Sequence, residues 1–197
     1  MPLLRIFKHD DAIIGLWEMA DGEFDSSNDD YLRVVQITAE KKYKSKARCM
    51  EYVCERALLK EMMNGDDVEI FHNEDGKPLL NNGFNISISH TRGLVAIILS
   101  EKYKNVGIDI EYVSSRVEKI ASRFMREDER ADDINSLLIH WCAKETVYKL
   151  FSSEHLDFKN IKVGVGDNFS ATNMLDNVTV PLYVESNSNY VMTYSML

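Results

Sequence analysis

The chain has 197 residues, 45% of them hydrophobic and 28% charged, with a net charge of −9. That composition describes a folded globular protein with room for one domain or two small halves sharing a core; it excludes a disordered chain and a general nucleic-acid binder. No apolar run reaches the length of a bilayer span, the N-terminus lacks a signal-peptide layout, and three cysteines without paired spacing suit a reducing cytosol, so a cytoplasmic protein that does not engage a membrane is expected.

In chain order, Leu3–Phe7 and Ala12–Met19 are short apolar runs around Lys8-His9-Asp10-Asp11 and predict two strands and a turn. Asp21–Asp30 is polar and turn-rich and reads as a loop, with Asn28 or Asp29 able to cap a following helix. Ser45 to about Met63 reads as a helix, since Met50, Val53, Cys54, Ala57, Leu58 and Met62 give one broad apolar face and Asn64-Gly65 stops it. Strands follow at Asn85–His90, Leu94–Leu99 and Val106–Glu111, then helical pattern over Val117–Met125 and from about Asp133 to Phe151. The C-terminal part returns to strands at Ile161–Val165, Val178–Glu185 and Tyr190–Met196, with Pro181 placing its strand at an edge or bulge. The sum is an α+β fold of two pseudo-duplicated halves with antiparallel sheets and a long helix in each, residues 1–103 and 104–197, with a cleft between them. Cys49, Cys54 and Cys142 are odd in number without CxxC spacing, which argues against a disulfide framework or structural zinc.

Two basic clusters stand out against the acidic background. Lys41, Lys42, Lys44, Lys46 and Arg48 fall together, and Arg116, Lys119, Arg123, Arg126 and Arg130 recur later. They are either solvated helix faces or positive patches that capture an anionic cofactor or an acidic protein partner.

Gly107-Ile108-Asp109-Ile110-Glu111 and Trp141-Cys142-Ala143-Lys144-Glu145, followed by Lys149, carry the chemistry. Side chains alternate along a strand, so Ile108 and Ile110 can enter a core while Asp109 and Glu111 share the opposite face. Trp141, Glu145 and Lys149 are spaced i, i+4, i+8 and form one stripe of a helix. Three carboxylates from a strand and a helix are hard oxygen ligands for Mg²⁺, and Lys149 can meet a substrate phosphate as a point charge. The plainer alternatives are a solvated strand face for Asp109 and Glu111, and an i,i+4 surface pair for Glu145 and Lys149.

Asp75-Gly76-Lys77-Pro78, Asn85-Ile86-Ser87-Ile88-Ser89-His90-Thr91, Gly107–Glu111, Arg123-Phe124 with Glu129, and Trp141–Lys149 occur in that order. Together they resemble the 4′-phosphopantetheinyl transferases of the surfactin type. The resemblance implies two α/β halves with coenzyme A bound between them. It implies transfer of the phosphopantetheine arm to a serine of an acidic apo acyl carrier protein or carrier domain, with release of adenosine 3′,5′-bisphosphate, by a monomer. It also implies Mg²⁺ on Asp109, Glu111 and Glu145, and catalysis by Glu145, Lys149 and Asp109. Arg48, Lys77, Ser89, His90, Asp109, Lys144 and Lys149 would contact the cofactor. Glu145 is the first candidate to take the serine proton and Glu129 the second. Thr91, Cys142 and Thr146 depart from the usual residues without removing a charge the chemistry needs. Two rivals remain open at this point: a non-catalytic coenzyme A-binding or scaffold relative, and a magnesium phosphodiesterase using the same acids.

Overall fold

The N-terminal hairpin sets the frame. In the computed structural model, which describes residues 3–19, 24–166 and 168–197, β1 (Leu3–His9) and β2 (Ala12–Glu18) turn at Asp10-Asp11, with Asp10 at φ 49. The first strand thus runs two residues further than expected, and the start of the anticipated Asp21–Asp30 loop, residues 21–23, lies outside the described residues. A helix α1 (Asp30–Lys42) follows, and Asp29 is its cap, accepting from Leu32 N. Ser45 caps α2 (Lys46–Met62) through Arg48 N, and Gly65 ends that segment at φ 95.

A small hairpin, β3 (Phe71–His72) with β4 (Pro78–Leu79), was not anticipated; its two-residue strands are too short for any periodicity to register. Then come β5 (Asn85–Thr91) and β6 (Leu94–Ser100), which with the first hairpin make an antiparallel sheet in the order β1-β2-β6-β5. Both of its faces are covered. Trp17, Val95, Ile97 and Leu99 pack on α2 residues such as Val53 and Leu58, while Ile14, Leu16, Ala96 and Ile98 face the C-terminal half. This double burial explains why β6 reads as an almost unbroken apolar run.

The C-terminal half is built on β7 (Val106–Tyr112). The expected helix over Val117–Met125 is instead a 3₁₀ segment, Ser115–Ile120, followed by one turn, α3 (Ala121–Phe124). Fully buried Phe124 and buried Val117 anchor it, so tertiary contact and not helix propagation sets its shape. The long helix α4 (Ile134–Leu150) is capped by Asp133, which accepts from Ser136 N. Beyond it lie β8 (Ile161–Gly164), β9 (Ser170–Asn173), β10 (Val178–Pro181), β11 (Tyr183–Ser186) and β12 (Tyr190–Met196). The single strand expected over Val178–Glu185 therefore breaks at Leu182. Pro181 ends an edge strand of sheet β10-β9-β8, and β11 joins a different sheet, β11-β12-β7.

The architecture is α+β, with antiparallel sheets and a seventeen-residue helix on either side of the seam. The two sheets share a core: Ile14, Leu16, Ala96 and Ile98 pack with Ile108, Ile110, Met192 and Met196. Residues 103 and 104 lie in the connection between β6 and β7.

The edges β5 and β7 run side by side in the same direction, joined by side chains. The N–H groups of Ile108, Ile110 and Tyr112 donate to Ser87 Oγ (3.2 Å), Ser89 Oγ (3.3 Å) and Thr91 Oγ1 (3.4 Å). On the other side of β7, α4 approaches so closely that a Cβ at Gly107 would run into the backbone oxygen of Thr146. Thr146 Oγ1 in turn donates to Thr193 O on β12 at 3.0 Å.

Candidate functional site

Alternation along β7 sends Ile108 and Ile110, both fully buried, into the shared core, and Asp109 and Glu111 toward α4. The stripe Trp141–Glu145–Lys149 lies along that face of the strand. Lys149 Nζ donates to Asp109 Oδ1 at 2.7 Å and to Ile108 O at 2.9 Å; Trp141 Nε1 donates to Glu111 Oε1 at 3.3 Å. From the opposite side, Ser89 Oγ donates to Asp109 Oδ1 and Thr91 Oγ1 to Glu111 Oε2, each at 2.8 Å. Asp109 Oδ2 is left buried without a hydrogen-bond partner.

The electrostatics follow from crowding three acids into partly dry space. Burial pushes the Glu145 carboxyl up to about 7, with Asp109 and Glu111 adding to the rise and Lys149 opposing it. Burial likewise raises Glu111, and Asp109 reinforces it against hydrogen bonds from Thr91 and Trp141. Cys142, fully buried beside these acids, has its thiol pushed well up and is no nucleophile; it packs against β12.

A cleft of about 680 Å³ opens beside Glu111, bounded by Arg48 and Glu51 of α2, His90 and Arg92 at the end of β5, and Arg116 and Trp141 across from them. His90 sits among charges: Arg48 Nη1 is 3.3 Å from its Nε2, Glu55 Oε1 3.6 Å from the same nitrogen, and Glu51 Oε1 3.7 Å from Nδ1. Burial lowers its pKa; Glu51 opposes this, while Arg48 and Lys149 reinforce it. Glu55 is pushed up to about 7, chiefly by burial. Neither glutamate was singled out from the sequence, although Arg48, Glu51 and Glu55 are spaced i, i+3, i+7 on one helix face, a pattern that groups them.

The expected site residues therefore divide. Asp109, Glu111, Glu145, Lys149 and Ser89 come together, and His90 and Arg48 line the neighbouring cleft. Lys77 stands apart on the β4 hairpin, where its Nζ lies 3.5 Å from Asn105 Oδ1 and burial lowers its pKa.

Lys144 does not reach the cleft, contrary to expectation. Its fully buried ammonium pairs with Glu129 at 2.9 Å and donates to Phe158 O (3.0 Å) and Ile161 O (2.7 Å). Lys144 and Glu145 are adjacent on α4, so their side chains leave it about 100° apart, and only one can face β7. Glu129 also accepts from Arg126 N and Val163 N, which leaves it no part at the carboxylate site.

The donor set is of the type a hard divalent cation takes: carboxylate oxygens only, one of them buried and unpartnered. Among the described residues, no three His, Cys, Asp or Glu side chains already stand in a geometry that would hold a metal ion. No helix among them is long and apolar enough to cross a membrane.

No curated protein matches the chain in sequence. Residues 105–195, just under half of the chain, match the model of the 4′-phosphopantetheinyl transferase superfamily. That span carries Asp109, Glu111, Glu145 and Lys149 and stops short of Arg48, Lys77, Ser89 and His90, and it supports a transferase that moves phosphopantetheine.

Proposed function

We propose that the protein is a Mg²⁺-dependent 4′-phosphopantetheinyl transferase of the surfactin type. It takes coenzyme A and an acidic apo acyl carrier protein or carrier domain, joins phosphopantetheine to the carrier serine and releases adenosine 3′,5′-bisphosphate. One observation carries the reading: Asp109, Glu111 and Glu145 converge with Lys149 on one face of β7, beside a cleft edged by Arg48 and His90.

Asp109, Glu111 and Glu145 are the residues that would hold Mg²⁺, which when bound supplies positive charge for the pyrophosphate oxygens. Lys149 is already within one hydrogen bond of Asp109 and offers a second positive charge as the phosphorus–oxygen bond to the leaving bisphosphate breaks. Glu145 takes the serine proton, directly or through a water. Arg48 and His90 present positive and hydrogen-bonding groups to the anionic nucleotide. Arg116 at the cleft edge and exposed Lys119 beyond it meet the acidic carrier.

The test is intact-mass analysis of an apo carrier protein incubated with this protein, coenzyme A and Mg²⁺, with Glu145→Gln and Asp109→Ala alongside. A phosphopantetheine mass gain that requires the cation and disappears in both variants is expected. No gain on several carriers, from a folded protein that binds coenzyme A, would overturn the reading; bisphosphate release without carrier labelling would point to hydrolysis instead.

A further inference from the structure

The seam between the two sheets repeats one unit. At Ser89 the hydroxyl accepts from the N–H of Ile110 and donates to Asp109; at Thr91 it accepts from Tyr112 N–H and donates to Glu111. A backbone N–H can only donate, so each hydroxyl must accept from it, and its single hydrogen is left for the carboxylate. The third member of the row, Ser87, accepts from Ile108 N–H in the same way but faces Gly107, which has no side chain to hold.

From this we propose that Ser89 and Thr91 are positioning residues: they use the strand pairing that joins the halves to fix which oxygens of Asp109 and Glu111 face the cation. The inference rests on the cation site proposed above. Ser89 and Lys149 both occupy Asp109 Oδ1, which leaves Oδ2, buried and unpartnered, as the oxygen presented. Thr91 occupies Glu111 Oε2 at 2.8 Å, while only the longer 3.3 Å bond from Trp141 touches Oε1. Both carboxylates are thereby oriented by the N-terminal half, which lies outside the residues matched by the superfamily model. Carboxylates held by such outer partners bind metal more tightly because no orientational freedom is lost on binding.

The test uses Mn²⁺ alone, followed by electron paramagnetic resonance, on wild type, Thr91→Val, Thr91→Ser, Ser89→Ala, Ser87→Ala and Asp109→Ala, with thermal unfolding of each. Thr91→Val keeps shape and removes the hydroxyl; it should weaken Mn²⁺ binding about tenfold or more, and Thr91→Ser should restore it. Ser89→Ala should weaken it comparably. Ser87→Ala deletes an equivalent seam bond and should lower the unfolding temperature while leaving Mn²⁺ affinity unchanged. If Thr91→Val and Ser89→Ala bind Mn²⁺ as wild type does while Asp109→Ala does not, positioning is overturned and the cation site stands. If wild type binds no Mn²⁺ at all, the cation site itself fails and positioning falls with it.

Discussion

Lys149 Nζ lies 2.7 Å from Asp109 Oδ1 and donates from the same nitrogen to the carbonyl of Ile108, so one ammonium clamps α4 onto the acidic strand and stands ready for an anion. Lys149→Met should lower carrier-labelling kcat by about 10²–10³ while the protein stays folded, as loss of one charge-stabilising donor does. Lys149→Arg should recover only part of this, because a planar fork does not replace a point charge between two oxygens. Steady-state labelling with circular dichroism on the same samples checks both; unaltered kcat in Lys149→Met would remove Lys149 from the chemistry.

Lys144 and Glu129 form a fully buried ion pair. Lys144→Met alone strands the glutamate charge and should destabilise the fold by about 3–5 kcal/mol, whereas Lys144→Met with Glu129→Leu should regain much of it. Urea denaturation of the singles and the double decides. A single variant of wild-type stability that had lost coenzyme A binding would return Lys144 to the cofactor.

Gly107 is the contact point of β7 and α4. In Gly107→Ala the new methyl meets backbone, not a flexible side chain, so the helix carrying Glu145 and Lys149 must shift. The melting temperature should fall, and kcat should fall further than the loss of folded protein accounts for, since misplacement by about 1 Å can cost 10²-fold. Equal kcat per folded molecule would show the site tolerates the shift.

Glu55 and Glu145 titrate near pH 7 when folded and near the ordinary carboxylate value when unfolded. With a raised folded pKa, the stabilising contribution is complete below the unfolded value and is lost as pH rises through about 7, at up to about 1.4 kcal/mol per pH unit per group. Glu55→Gln should therefore flatten the decline in stability between pH 5 and pH 7 and be more stable than wild type at pH 8. Denaturant midpoints across that range test this; a parallel profile for wild type and variant would refute the raised Glu55 pKa.

Arg116 lines the cleft and Lys119 is exposed one helical turn on. Reversing both charges should raise the carrier KM several-fold, with the effect shrinking at high salt, and Lys119→Glu alone, outside the cleft lining, should do so without moving the coenzyme A KM. Titration of apo carrier protein into the labelling reaction distinguishes docking from chemistry, and an unchanged carrier KM would place docking elsewhere.

The pattern of the candidate site was legible because it is local. Alternation in Gly107–Glu111 and the i, i+4, i+8 stripe Trp141–Glu145–Lys149 follow from the geometry of one strand and one helix, and caps at Asp29, Ser45 and Asp133 mark where helices begin. Lys144 shows the limit. It sits beside Glu145 in sequence, but which neighbour faces β7 depends on how α4 is rotated, and that is settled where Gly107 lets the helix approach and Thr146 meets Thr193. The break at Leu182, the single turn that replaces a helix at Ala121–Phe124, and the glutamates beside His90 were likewise decided by partners distant along the chain. The sequence by itself determined the elements and the set of acids and bases, since those depend on periodicity and residue type. Only the tertiary structure decided which charges meet, because pairing across β5, β7 and α4 is a matter of register and close approach that no local stretch encodes.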